Sequence, residues 1–190
     1  MQTAIIIHGT PDRDEYFNVD GDSQSNSHWI PWLQQQLIVN GINTQTPEMP
    51  DAYEPDYQKW LNVFSNFKID ENTILVGHSC GAGFIVRYLS ENNIKVGDVF
   101  LVAPWLDTDK TLNTNFFDFK IDQSLINKIK SMNIIYSIDD DTDVLESVNK
   151  ITEEVASVNV IKFENKKHFT FGDLKTRKFL ELLDLILSKK

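Results

Sequence analysis

The chain has 190 residues, a formal net charge of −10 and a pI near 4.8, with 41% hydrophobic and 11% aromatic content. That length supports one well-buried core rather than two, so residues 1–190 are read as a single domain. The acidic balance argues against nucleic acid as a partner, because phosphate contacts need clustered Lys and Arg. A lone cysteine, Cys80, leaves no intramolecular disulfide and fits a reducing, cytoplasmic setting. The first residues lack a basic region and turn polar at His8, unlike a signal peptide. No apolar run approaches the roughly 20 residues of a membrane helix.

Ala4–Ile7 is a continuous aliphatic run, the pattern of a strand buried on both faces, and it stops at the turn His8-Gly9-Thr10-Pro11. Residues 12–27 are polar and read as a loop. Ser27 can cap a helix over His28–Asn40, with Trp29, Trp32, Leu33 and Leu37 on its apolar face and Gly41 as its stop. A short strand over Ile42–Thr46 leads into a Pro-rich loop. Pro55 then opens a helix whose apolar face is Tyr57, Trp60, Leu61 and Phe64. Strands follow at Thr73–Gly77, Val96–Ala103, Asn133–Ile138 and Val158–Phe163. Helices are expected over Cys80–Glu91, Asp143–Ser157 and from Asp173 onward, and a short one near Gln123–Lys130 in an otherwise unpatterned stretch. Aliphatic strands alternating with amphipathic helices predict an α/β fold, a three-layer α/β/α sandwich on a mostly parallel sheet of about six strands.

Within that pattern, Gly77-His78-Ser79-Cys80-Gly81 sits between a strand and a helix, where the G-x-S-x-G elbow belongs. A serine in this turn is pushed clear of the backbone, and only glycine fits where strand and helix nearly touch. Ser79 is therefore the candidate nucleophile. Cys80 lies one position past the exposed point and faces the helix packing, so it is not read as the nucleophile. A hydrolase of this architecture needs an acid after one late strand and a histidine after the last. Asp139, Asp140, Asp141 and Asp143 follow the strand ending at Ile138, and His168 follows the strand ending near Phe163. Of the other histidines, His78 is expected to pack under the turn, His28 to be a surface or packing residue, and His8 to order the adjacent loop. The oxyanion hole would use the backbone amides of Thr10 and Cys80, with Gly9 allowing close approach. The Asp-rich run also suits a cation, but its spacing does not match a calcium loop and no glycine turns it, so no metal is expected.

The ordered set His8-Gly9, His28-Trp29-Ile30-Pro31-Trp32-Leu33, Met49-Pro50, Gly77-His78-Ser79-Cys80-Gly81, Val102-Ala103-Pro104, Ser137-Ile138-Asp139-Asp140 and His168-Phe169 runs through nearly the whole chain. It resembles the small α/β-hydrolase-fold serine hydrolases of the retinoblastoma-binding protein nine and YdeN-like type. The resemblance implies a compact hydrolase with a short lid or none and no cofactor. Its acid, the second Asp of Ser-x-Asp-Asp, falls on Asp140, with Asp139 and Asp141 as rivals. This chain departs from the family in having Asp141-Thr142-Asp143-Val144 where an aliphatic residue and proline are usual. It also has Lys167 where a glycine usually precedes the histidine, and a cation there is expected either to lower the histidine's pKa or to perturb its orientation, with a modest activity as the result. The expected activity is hydrolysis of small carboxylic esters, or amides, by Ser79, His168 and Asp140, with Trp105, Phe116, Phe117 and Phe119 forming the pocket wall. The alternatives are a non-catalytic interaction module on the same fold and a thioesterase or acyltransferase. The expected partner is a small molecule, not nucleic acid or membrane, and the expected state is a monomer or weak homodimer.

Overall fold

A computed structural model describes residues 2–189. The elements in chain order are β1 (Thr3–Ile7), α1 (Arg13–Tyr16), α2 (Ile30–Val39), β2 (Asn43–Gln45), α3 (Tyr57–Phe64), β3 (Thr73–His78), α4 (Cys80–Glu91), β4 (Val96–Val102), β5 (Ile129–Ser137), α5 (Thr142–Glu154), β6 (Asn159–Phe163), α6 (Phe171–Leu174) and α7 (Leu180–Leu187). Every strand pairs in parallel, in the order β2-β1-β3-β4-β5-β6. Parallel strands need covered faces, and the strand residues alternate between two cores. Ile5, Ile7, Leu75, Val99, Leu101 and Ile134 pack with Trp60, Phe64, Phe84 and Ile151 of α3, α4 and α5. Ala4, Ile6, Ile74, Val76, Phe100, Val102 and Ile135 pack on the other face with Leu33, Leu37, Leu182 and Ile186 of α2 and α7. Among the described residues no helix is long and apolar enough to cross a membrane.

Four local details differ from the sequence expectation. The polar stretch 12–27 holds α1, capped by Asp12, whose side chain accepts from the Glu15 amide at 2.7 Å. Ser27 does not cap α2, which begins two residues later at Ile30, and His28 is left-handed at φ 57°. Strand β5 starts at Ile129, four residues early. Its polar residues Ser131 and Asn133 hid it, yet they are satisfied across the sheet: Ser131 Oγ donates to Asp98 at 2.6 Å and Asn133 Nδ2 to the Val99 carbonyl at 3.1 Å. The expected last helix is split, with α6 closed by a capping box at Thr170 and Asp173, and α7 beginning only at Leu180.

Register decides where function can sit. Ile7 pairs with Gly77, His78 with Val102, Val102 with Ile135, and Ser137 with Phe163. The residues immediately after these strands therefore emerge along one edge, the carboxyl end where ligands bind in open parallel sheets. Phe100, fully buried in the second core, tests the packing: Phe100→Ala should lower unfolding free energy by about 3–5 kcal/mol in denaturant titration. Val160→Ala, on the edge strand and 47% exposed, should change it by only about 0.5 kcal/mol.

Candidate active site

Ser79 joins β3 to α4 at φ 52° and ψ −120°, a backbone region that costs a serine energy and is kept only when its surroundings enforce it. Two bonds pin it: its amide donates to the Val102 carbonyl at 2.9 Å, and its carbonyl accepts from the Trp105 amide at 3.2 Å. Glycines make the turn possible. A Cβ at Gly77 would lie 2.5 Å from Ala82 Cα, and one at Gly81 would lie 2.3 Å from the His8 carbonyl oxygen. Gly9 faces the serine itself, with a Cβ there reaching 3.0 Å from Ser79 Cβ. Cys80 is fully buried behind the turn. Burial, and secondarily the charge of Asp107, pushes its thiol well above the usual range, so it stays protonated.

His168 lies on the loop between β6 and α6, and its Nδ1 is 2.9 Å from Asp140 Oδ1 and 3.2 Å from Oδ2. The Asp140 side chain is 1% exposed against 28% for the imidazole. Burial disfavours the imidazolium, but the hydrogen bond and charge of Asp140 outweigh it, and the histidine's pKa is raised above 6.5. Asp141 and Asp173 add to the rise. The expected lowering by Lys167 is not what the site produces. Lys167 is exposed and at φ 44°, so its position has the left-handed backbone that favours the glycine usual there.

The rival acids have other partners. Asp139 Oδ1 accepts from Ser137 Oγ at 2.5 Å and from the Lys167 amide at 3.2 Å, which fastens the histidine loop to the end of β5. Asp141 opens α5, and its amide donates to Asp140 Oδ1 at 2.8 Å. Asp143 Oδ2 accepts from the indole of Trp105 at 2.5 Å.

Two cavities meet at the serine. One of about 170 Å³ is lined by Thr10, Ser79, Trp105, Asp141, Asp143, Val144 and His168. The other, of about 130 Å³, is lined by His8, Gly9, Thr10, Glu15, Gln24, His28, His78, Ser79, His168 and Thr170. The structure thus brings Thr10, Ser79, His168 and Trp105 together, with Asp140 behind the imidazole. It does not bring the three phenylalanines. Phe116 is fully buried in the first core with its ring 4.9 Å from Trp60, Phe117 backs Trp105 at 5.5 Å from a separate hollow, and Phe119 lines another. Their apolar character is spent on core and on supporting Trp105. Among the described residues, no group of His, Cys, Asp and Glu is arranged to hold a metal ion.

Sequence reading missed that all four histidines converge here. His8 Nδ1–H donates to the Gly9 carbonyl at 2.7 Å, and its Nε2 accepts from the Met49 amide at 2.8 Å, so it ties two loops together as a neutral ring. His78 Nε2–H donates to the His168 carbonyl at 2.8 Å, anchoring that residue's backbone. His28 Nδ1 accepts from the Phe171 amide at 3.2 Å. Burial lowers the pKa of all three. No spacing rule links positions 8, 28, 78 and 168, and only the sheet register does.

Residues 19–172 match the model of a family described as serine hydrolase, and the chain belongs to that family. It is 31% identical to YdeN of Bacillus subtilis (strain 168) over 125 residues, which is 62% of this chain and 66% of YdeN, just under two thirds of that relative's length. The crystal structure of YdeN superposes with a TM-score of 0.84 at 23% identity, covering 100% of this chain and 98% of the other. Est1E from Butyrivibrio proteoclasticus gives 0.67 at 16% identity over 99% and 88% of the two chains. A monoacylglycerol lipase from Paleococcus ferrophilus gives 0.66 at 12% over 99% and 95%. At these identities the structural likenesses establish the fold, a compact α/β-hydrolase fold.

Two outcomes test the site's architecture. Gly81→Ala should destabilise the chain by about 3 kcal/mol in denaturant titration, because its methyl would press on the backbone of β1. The pair of His168 with Asp140 adds stability that is fully present below the ordinary histidine pKa of 6.5 and lost as pH rises through the raised one. The Tm gap between wild type and Asp140→Asn should therefore narrow as pH increases.

Proposed function

We propose that the protein hydrolyses small carboxylic esters, and amides more slowly, with Ser79 as nucleophile, His168 as general base and Asp140 as the acid that orients it. One observation carries the reading: His168 Nδ1 is engaged by the buried Asp140 carboxylate while its ring shares both cavities with Ser79. With Nδ1–H donated to Asp140, Nε2 is left bare to accept the Ser79 proton. Ser79 Oγ then bonds to the ester carbonyl carbon, and the carbonyl oxygen takes up negative charge facing the amides of Thr10 and Cys80. Collapse expels the alcohol, which leaves with the proton from His168. Water, deprotonated by the same nitrogen, adds to the acyl-enzyme and releases the acid and free Ser79. Trp105 and Val144 are the apolar side chains of the first cavity, which suits it to a short acyl group. Membership of the serine hydrolase family and fold likeness to a monoacylglycerol lipase are consistent with this chemistry.

A fluorophosphonate probe should label wild type and leave Ser79→Ala and His168→Ala unlabelled; equal labelling of Ser79→Ala removes the serine from this role. Asp140→Asn should lower kcat by about a thousandfold or more on p-nitrophenyl acetate, whereas Asp139→Asn and Asp141→Asn should cost about tenfold or less. Because His168 must be neutral to act, kcat/KM of wild type should rise through an apparent pKa above 6.5, and Asp140→Asn should move that limb to lower pH. Among p-nitrophenyl esters, acetate and butyrate should be cleaved faster than octanoate and decanoate.

A further inference from the structure

The second cavity beside Ser79 lacks the indole and the valine that line the first, although the first also carries the carboxylates Asp141 and Asp143. None of the side chains that line it is aliphatic, and its polar groups arrive from five separate segments. His8 and Thr10 come from the end of β1 and the loop after it, Glu15 from α1, Gln24 and His28 from the segment before α2, His78 and Ser79 from the elbow, and His168 and Thr170 from the loop that ends in the cap of α6. Gln24 is placed deliberately. Its amide and that of Ser25 donate to the two Glu48 carboxylate oxygens at 3.2 and 2.8 Å, and its side chain donates to Glu15 Oε1 at 3.2 Å. His28 is held in a left-handed conformation with no role in capping α2, and strained residues of this sort gather at ligand sites.

Burial lowers the pKa of His8, His28 and His78 and favours their neutral forms. His168, which also lines the cavity, is paired with Asp140, and Arg177, which reaches His28 electrostatically, is paired with Asp22. Glu15 is the one carboxylate among the residues that line the cavity, and it is an acceptor. His78, which also lines the cavity, gives its Nε2–H to the His168 carbonyl.

We infer that this cavity is the alcohol-side subsite of the hydrolase, built for a leaving group that carries a hydroxyl or an ammonium hydrogen-bond donor, with Glu15 and Gln24 as its specificity-determining residues. The inference rests on the esterase reading of Ser79. It divides the substrate by chemistry: the hydrocarbon acyl part lies against Trp105 and Val144, and the donor-bearing alcohol lies among Glu15, Gln24 and His28. Carboxylate-bearing alcohols are disfavoured, since they would meet Glu15 while the neighbouring cationic groups His168 and Arg177 are already paired with Asp140 and Asp22.

The test is a set of four butyrate esters: glycerol monobutyrate, the isosteric methylbutyl butyrate, dimethylaminoethyl butyrate and butyryloxyacetate. Wild type should cleave the glycerol and dimethylaminoethyl esters with kcat/KM about tenfold or more above the methylbutyl ester, and butyryloxyacetate slowest of all. Glu15 is exposed on α1, so its variants should fold. Glu15→Gln should erase the advantage of the ammonium ester while keeping part of that of the glycerol ester, and Glu15→Leu should erase both. Ratios within about twofold across the set, or ratios unchanged in both Glu15 variants, overturn the inference while Ser79-dependent cleavage of p-nitrophenyl acetate leaves the esterase reading standing. A matching preference for methyl hydroxybutyrate over methyl pentanoate, without one on the alcohol side, assigns the donor to the acyl part and overturns the subsite. Absence of both Ser79 labelling and turnover overturns the two together.

Discussion

The turn at Ser79 is the constraint on which the rest of the structure depends. To hold a serine at φ 52° the chain must press β3 and α4 together so tightly that residues 77 and 81 have no room for a side chain. The cost of that backbone is met by its neighbours: Val102 and Trp105 each hydrogen bond to the serine's main chain, and β1 lies so close that a Cβ on Gly81 would run into the Ile7 and His8 carbonyls. The elbow is thus locked to three strands at once. Because all of these strands run parallel, the lock also sets the height at which the loops after β1, β4, β5 and β6 emerge.

Support for His168 is distributed in the same way. The histidine's backbone is held by His78 from the elbow, its ring by Asp140 from the end of β5, and the residue before it by Asp139. Ser137 bridges Asp139 and the Lys166 amide, so two consecutive aspartates divide the work, one on the loop and one on the ring. The acidic run that looks redundant in the sequence is a set of separate attachments. Asp141 supplies a backbone bond to Asp140, and Asp143 fixes the indole of Trp105. His168 and Trp105, which both line a cavity at Ser79, are thus each held by a second residue, Asp140 and Asp143.

Apolar content is divided between sheet faces and site with little overlap. Trp60 meets Phe116 and Phe64 meets Phe84 edge to face beneath α3 and α4, and on the far side Phe163 meets Phe169 edge to face while Phe169 stacks on Phe179. Of the aromatic hydrocarbons near the elbow, Trp105 alone lines a cavity at Ser79. It can do so because Gly83 lets its backbone approach α4, where a Cβ would fall 2.1 Å from the Trp105 carbonyl oxygen. The two sides of the serine consequently differ in their apolar lining, one with an indole and a valine beside two carboxylates, the other with imidazoles, an amide and a carboxylate.

Local chemistry was enough to read much of this from residues alone. The aliphatic runs at 4–7, 73–77 and 96–103 could only be buried strands, and the glycines around Ser79 announced the elbow because no other residue tolerates that contact. The order of an acidic cluster and then His168 after it followed from the alternation of strand and helix, while the choice of Asp140 within that cluster rested on the family resemblance. What stayed hidden depended on contacts between distant segments. The start of β5 at Ile129 was masked by polar residues whose partners lie in β4 and β6, and the phenylalanines at 116, 117 and 119 gave no sign of which face they would join. The convergence of His8, His28 and His78 on His168 has no signature in spacing, since residues 20 to 160 positions apart meet only once the strands are in register. Sequence determined the turn at Ser79 because its physics is confined to five residues; tertiary structure decided what surrounds the serine, because that is set by how parallel strands align.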